Sequence, residues 1–329
     1  MKEFSIDEKE AGLRLDKQLL KILNNCGSGF IYKMLRKKNI TLNGAKASGN
    51  EHLKAGDVIR IYFSDETFSK LSDKRIDTIP VSSGDHDISG MIIFENEDMI
   101  ILNKPAGLLS QKASAGDISL NELCIRYLIE RNELSEDRLS VFKPSVCNRL
   151  DRNTSGLIIF AKNYSAAVSL SEMLKMRELK KYYLCLVKGR IEKSERTDGY
   201  LVKDGGKNKV SVYSDHREGA SHIITEYTPV EIFKDATLLK VKLVTGKSHQ
   251  IRAHLAFMGH PIFGDEKYGD RRINTLIRER YGIKHQMLHS FRLIIPDNAG
   301  GCLKELSGMS FEAPLPEEFN SVIASYKDK

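Results

Sequence analysis

Residues 148–161 read NRLDRNTSGLIIFA, a polar turn that runs directly into an apolar, β-branched segment. The run 157–161 has the composition of a buried strand. The turn before it holds one acid, Asp151, among Arg149, Arg152, Asn153, Thr154 and Ser155. Burial raises the pKa of a carboxyl group, whereas neighbouring guanidinium groups and hydroxyl or amide donors favour the charged form. On residue types alone, a structural turn with a surface ion pair is the better reading of this segment. A catalytic carboxylate is the alternative.

Outward from this segment, β-branched runs at 91–94, 99–102 and 238–244 read as further strands, and 120–130 and 166–174 as helices, a mixed α+β pattern. The chain of 329 residues exceeds a usual single domain, so a large unit and a small one are expected. Residues 64–90, rich in Ser, Asp and Lys with little apolar periodicity, read as a linker between them. The expected division is therefore 12–63, a linker at 64–90, and a catalytic domain at 91–322.

In the small unit, Leu15, Leu19, Leu20, Ile22 and Leu23 form a helical stripe that Gly27 can stop. Ser28 can cap a second helix, whose apolar face is Ile31, Met34 and Leu35 and whose wet face carries Lys33, Arg36 and Lys37. Asn43-Gly44 is a tight-turn pair, and Gly56-Asp57 precedes an alternating strand at 58–63. Residues 12–63 hold ten Lys or Arg against three acids, which accounts for the net charge of +7 of the whole chain. Such a local excess fits a polyanion, because phosphate neutralisation supplies most sequence-independent affinity for nucleic acid.

With 41% hydrophobic and 29% charged residues, the composition is that of a soluble globular protein. The sequence has no apolar run near the roughly 20 residues of a membrane span, nor an N-terminal stretch of signal-peptide type, so a cytoplasmic location is expected. Five scattered cysteines without a CxxC pair argue against a disulfide framework or a thiolate zinc site. Gly246-Lys247-Ser248 imitates the end of a phosphate-binding loop, but Val241 stands where that motif needs glycine. His249, His254 and His260 lack the spacing of a zinc helix, so no metal is expected.

Several motifs in one order carry a resemblance. NRLDRNTSG (148–156) is similar to the HRLDxxTSG signature of the RluA-type pseudouridine synthases. KYYLCLVKG (181–189) and LVTGKSHQIRAHLAFMGHPIFGDEKY (243–268) resemble two further family blocks, and NKPAG (103–107) and FEAPLP (311–316) fit flanking pieces. Residues 12–63 resemble the alpha-L RNA-binding module first known from a small-subunit ribosomal protein, through RLDKQL (14–19), Ser28, NITLNG (39–44) and LKAGDVIRIYF (53–63).

The resemblance implies an α+β fold with a mixed, largely antiparallel sheet, preceded by a small helical and β-hairpin RNA-binding domain. It implies an RNA isomerase, acting on ribosomal RNA rather than transfer RNA given the N-terminal module, without cofactor, and as a monomer. Asp151 would be the catalytic carboxylate, Arg252 its partner, and Tyr183 the active-site tyrosine beside the uracil. Arg149 would fill the space vacated by a flipped base, and Lys33, Arg36 and Lys37 would contact RNA. Isomerisation changes no oxidation state, in keeping with a sequence that carries no nicotinamide, flavin or ATP motif. Four positions depart from the pattern: Asn148 replaces histidine, Cys185 an alanine, and Lys247-Ser248 an Arg-Thr pair. Asn148 is expected to position the loop.

Overall fold

The computed structural model describes residues 1–72, 87–114, 116–135, 138–139, 142–204 and 209–327. In the N-terminal unit, α1 (Leu15–Ile22) and α2 (Ser28–Arg36) bury Leu15, Leu19, Ile22, Ile31 and Leu35 against a small antiparallel sheet. Its strands are β1 (Lys2–Ser5), β2 (Ile40–Leu42) and β3 (Val58–Ile61), in the order β1-β3-β2. Asn43 and Gly44 both have positive φ, 53° and 73°, as the tight turn after β2 requires.

The unit reaches further than 12–63 at both ends. β1 joins its sheet, and α3 (Asp65–Leu71), capped by the Ser64 hydroxyl, buries Phe68 in its core. The linker expected at 64–90 thus begins as a helix, and residues 73–86 lie outside the described residues. Ser28 is the first residue of α2 and not its cap; Gly27 holds that position with extended backbone and no side chain to offer.

The larger unit is an 11-stranded sheet. In chain order the strands are β4 (Ile92–Glu95), β5 (Met99–Lys104), β6 (Ser145–Val146), β7 (Ser155–Ala161), β8 (Lys180–Lys188), β9 (Glu195–Asp204), β10 (Lys209–Tyr213), β11 (Ser221–Ile232), β12 (Ala236–Leu243), β13 (Leu288–Ile294) and β14 (Ser310–Glu312). The spatial path is β10-β9-β11-β12-β8-β13-β7-β5-β4, with β14 on β13 and β6 on β7. Only β13 and β7 pair in parallel among the described strands. The fold is therefore α+β with a mixed, largely antiparallel sheet, as expected. Its core extends beyond 91–322: Ile88 is buried beside α4 (Leu120–Glu130), and the last helix, Glu317–Lys327, packs Ile323 and Tyr326 inward.

All seven residues of β7 are buried, which explains its uninterrupted apolar run: both faces of the sheet are covered here. Leu157, Ile159 and Ala161 face Ala166 and Leu170 of the helix Tyr164–Met176, while Ile158 and Phe160 face Leu120 and Leu123 of α4. With apolar residues on both faces, alternation alone cannot set the register of β7. The contact with β13 supplies it. Gly156 has φ of 106°, and a Cβ there would lie 2.2 Å from the Ser290 carbonyl oxygen. No other residue type tolerates both conditions. Beside it, the fully buried His289 ring bonds the Ser155 hydroxyl through Nδ1 at 2.8 Å and the Ala313 carbonyl through Nε2 at 3.2 Å.

Burial pushes the His289 imidazole down to about 4 from its ordinary 6.5, despite the opposing bond to Ala313. Between those values the unfolded chain binds the proton and the folded chain does not, so stability is full above pH 6.5 and falls as the pH drops toward 4. The loss should total about 3 kcal/mol. Urea unfolding across this range should show that component in the native chain and not in His289→Gln; identical pH slopes would contradict it.

Candidate active site

The turn that carries Asp151 is fastened at alternate residues. Asn148 Oδ1 accepts the Ile159 N–H at 2.8 Å, so its side chain ties the loop to β7. The Ser110 hydroxyl donates to the Leu150 carbonyl and accepts the Leu150 N–H, at 2.9 and 3.1 Å. The Arg152 carbonyl accepts from the Gly107 N–H and from Lys104 Nζ, both at 3.0 Å. Thr154 accepts from Gln286 Nε2 at 3.1 Å. The residues in between, Arg149, Asp151 and Asn153, line a cleft of about 1050 Å³.

Lys104 is fully buried and also donates to the carbonyls of Pro105 and Leu108, at 2.9 and 2.8 Å. Burial pushes its pKa down to about 7, against the opposing charge of Asp151. Three carbonyl acceptors match the three protons of the ammonium form, and their number explains how the 103–107 segment tolerates a buried lysine. Carbonyls of two separate loops are thereby held by one side chain.

The basic partner of Asp151 comes from the other side of the cleft. After β12, Thr245 and the Lys247 N–H bond the buried Gln250 Oε1 at 2.9 and 3.1 Å, while Gln250 Nε2 donates to the Ile224 carbonyl at 3.0 Å. This anchor starts the helix Gln250–Phe257 and aims Arg252 inward. Arg252 Nη1 donates to Asp151 Oδ2 at 2.7 Å. Its Nε and Nη2 form a bidentate pair with Asp265, at 2.7 and 2.9 Å.

Asp265 is completely buried. Burial alone would raise its pKa, but Arg252 and the N–H groups of Lys267 and Tyr268 hold it below the ordinary carboxylate value. Arg252 is raised in turn, as the two carboxylates outweigh its burial. A planar guanidinium held in this way presents its remaining edge to Asp151 in a set direction.

Tyr183, on β8, is buried on the same cleft, opposite Ser290 of β13. Burial pushes its phenol up to about 12, and the nearby charge of Asp151 acts in the same direction. Asp151, Tyr183, Arg252 and Arg149 are therefore brought together around one cleft, with Arg149 exposed at its edge. Lys33, Arg36 and Lys37 do not line it; they stand exposed on α2 and its C-cap in the N-terminal unit.

The three histidines of the 243–268 block are dispersed. His254 is buried against Thr225, His260 bonds the Lys188 carbonyl, and His249 alone lines the cleft. Among the described residues no group of three His, Cys, Asp or Glu gathers as a metal site. Asp265 and Lys104 were within quoted motifs, in GDEKY and NKPAG, but residue type alone did not reveal that both are buried and hold the cleft's walls.

Comparison with known proteins bears on the fold and the family. The solved structure titled Human RNA Pseudouridylate Synthase Domain Containing 4 superposes with a TM-score of 0.58 at 19% identity, over 73% of this chain and 94% of that one, and so shares the fold. The family described as RNA pseudouridylate synthase matches residues 98–257. Ribosomal large subunit pseudouridine synthase C of Vibrio parahaemolyticus is 31% identical over 98% of this chain and 95% of its own length. The synthase of the same name from Haemophilus influenzae is 29% identical over 100% and 96%. The chain belongs to the RNA pseudouridylate synthase family.

Among the described residues, no helix is long and apolar enough to cross a membrane.

Proposed function

We propose that this protein isomerises uridines of large-subunit ribosomal RNA to pseudouridine, with Asp151 as the catalytic carboxylate. The observation that carries the reading is the 2.7 Å bond from Arg252 to Asp151 at the wall of an open cleft. Full-length likeness to relatives named for the large ribosomal subunit supports the choice of RNA.

The reaction breaks the bond from uracil N1 to the anomeric carbon, turns the base, and joins C5 to that carbon with loss of the C5 proton. A stacked base is out of reach, so the uridine must flip into the cleft at a cost of a few kcal/mol. Arg149, exposed at the cleft edge, is suited to fill the gap it leaves. Asp151 then acts on the ribose, either on the anomeric carbon or on a ribose proton, with Arg252 fixing its direction. Tyr183 would stack beside the uracil or take the C5 proton; its burial on the cleft wall supports a role at the base.

The N-terminal unit supplies grip. Lys33, Arg36 and Lys37 form an exposed cationic face on α2 whose apolar side is buried, an arrangement suited to phosphates.

Replacing Asp151 by Asn should abolish pseudouridine formation, read by carbodiimide mapping of ribosomal RNA, with RNA affinity within a few-fold of the native chain. Normal product from that variant would refute the assignment. Replacing Lys33, Arg36 and Lys37 together by Ala should lower the slope of log affinity against log salt by about 2. An unchanged slope would remove the RNA-binding role of α2.

A further inference from the structure

His249 takes no part in the assignments above, yet it is among the most constrained residues of the cleft. It has left-handed backbone, φ 55°, immediately before the helix that carries Arg252, a conformation uncommon for a residue with a side chain. The Val210 N–H donates to the Tyr268 hydroxyl oxygen at 2.9 Å, and His249 Nδ1 lies 2.9 Å from the same oxygen. With one lone pair of that oxygen taken by the Val210 N–H, giving the phenolic proton to Nδ1 satisfies both the phenol and the imidazole. That leaves the imidazole proton on Nε2.

Nε2 faces Asp151 Oδ2 across 4.0 Å, too far for a direct hydrogen bond. Burial pushes the His249 pKa down; Asp151 and Asp265 oppose this, and Arg252 and Lys267 reinforce it. The uncharged Tyr268 phenol completes its surroundings. A neutral N–H donor and a carboxylate thus flank a gap on the cleft wall.

An oxygen about 2.7–2.9 Å from both atoms closes a triangle on that base. It must accept from the imidazole and donate to the carboxylate, which a hydroxyl does. A uracil carbonyl has no proton to give and would meet the carboxylate unshielded, and a methylene satisfies neither group. The proposed reaction puts a ribose at Asp151, and the carbon beside the anomeric centre carries a hydroxyl in RNA and only hydrogen in DNA.

We propose that His249, with Asp151, binds the 2′-hydroxyl of the target nucleotide and makes the site selective for ribose over deoxyribose. The inference rests on the proposed isomerase activity and adds a specificity-determining residue to it.

The test is a substrate-by-variant cycle under single-turnover conditions, using a synthetic RNA that spans a uridine converted by the native protein. A second RNA carries one 2′-deoxyuridine at that position, and release of tritium from C5 is followed in both. The intrinsic reactivity of the deoxy sugar enters every rate ratio and cancels between variants. The native protein should favour the ribose substrate, and His249→Ala should shrink that preference by about tenfold, the range of one hydrogen bond. Tyr268→Phe, which frees the tautomer and removes a single oxygen, should shrink it less. Partial misfolding lowers both rates together and leaves the ratio readable.

An unchanged ratio in His249→Ala would overturn the inference and leave the isomerase reading standing. Absence of any converted uridine in ribosomal RNA treated with the native protein, the step that selects the substrate, would overturn the isomerase reading itself.

Discussion

The cleft is organised around one buried guanidinium. Arg252 uses two nitrogens on a carboxylate that never meets solvent, Asp265, and the third on one that does, Asp151. A buried arginine without a partner costs several kcal/mol, so its hold on Asp265 is a condition of the fold before it is a feature of chemistry. Because that demand is met from behind, the bond to Asp151 can be directional without being the only support of the charge. Such an arrangement lets the carboxylate at the cleft surface engage a substrate while its partner stays fixed.

The other side of the pair depends on the sheet. Asp151 lies four residues before β7, and β7 is held in register where it meets β13, at the contact of Gly156 with the Ser290 backbone. Tyr183 belongs to β8, the next strand beyond β13, and stands opposite Ser290 in the strand register. The parallel seam between two antiparallel halves is thus where the loop bearing Asp151, the tyrosine and the helix bearing Arg252 converge. Lys104 closes the assembly from the far half, tying the end of β5 to the Arg152 carbonyl.

Much of this was legible in the residues. The helix expected at 120–130 has those bounds, and the apolar run 157–161 is the heart of β7. The basic face of α2 followed from the spacing of Ile31, Met34 and Leu35. Local patterns of this kind record which side of an element is dry. They do not record partners distant in the chain: Asp151 and Arg252 are 101 residues apart, and resemblance alone joined them before the structure did. Asp265 was illegible for the same reason, since an acid in a polar turn reads alike whether it faces water or a guanidinium. α3 was missed because its short span buries little beyond Phe68, and Ser28 was misplaced by one residue because Gly27 can take the cap conformation without a capping side chain.

If Arg252 is set by Asp265, removing that negative charge should disturb the reaction without touching any group that meets RNA. The direct measurement is the single-turnover rate of pseudouridine formation by Asp265→Asn beside its RNA affinity. The account predicts a rate lower on the order of a hundredfold, the scale of a misplaced catalytic group, at nearly native affinity. A native rate from folded Asp265→Asn protein would contradict it.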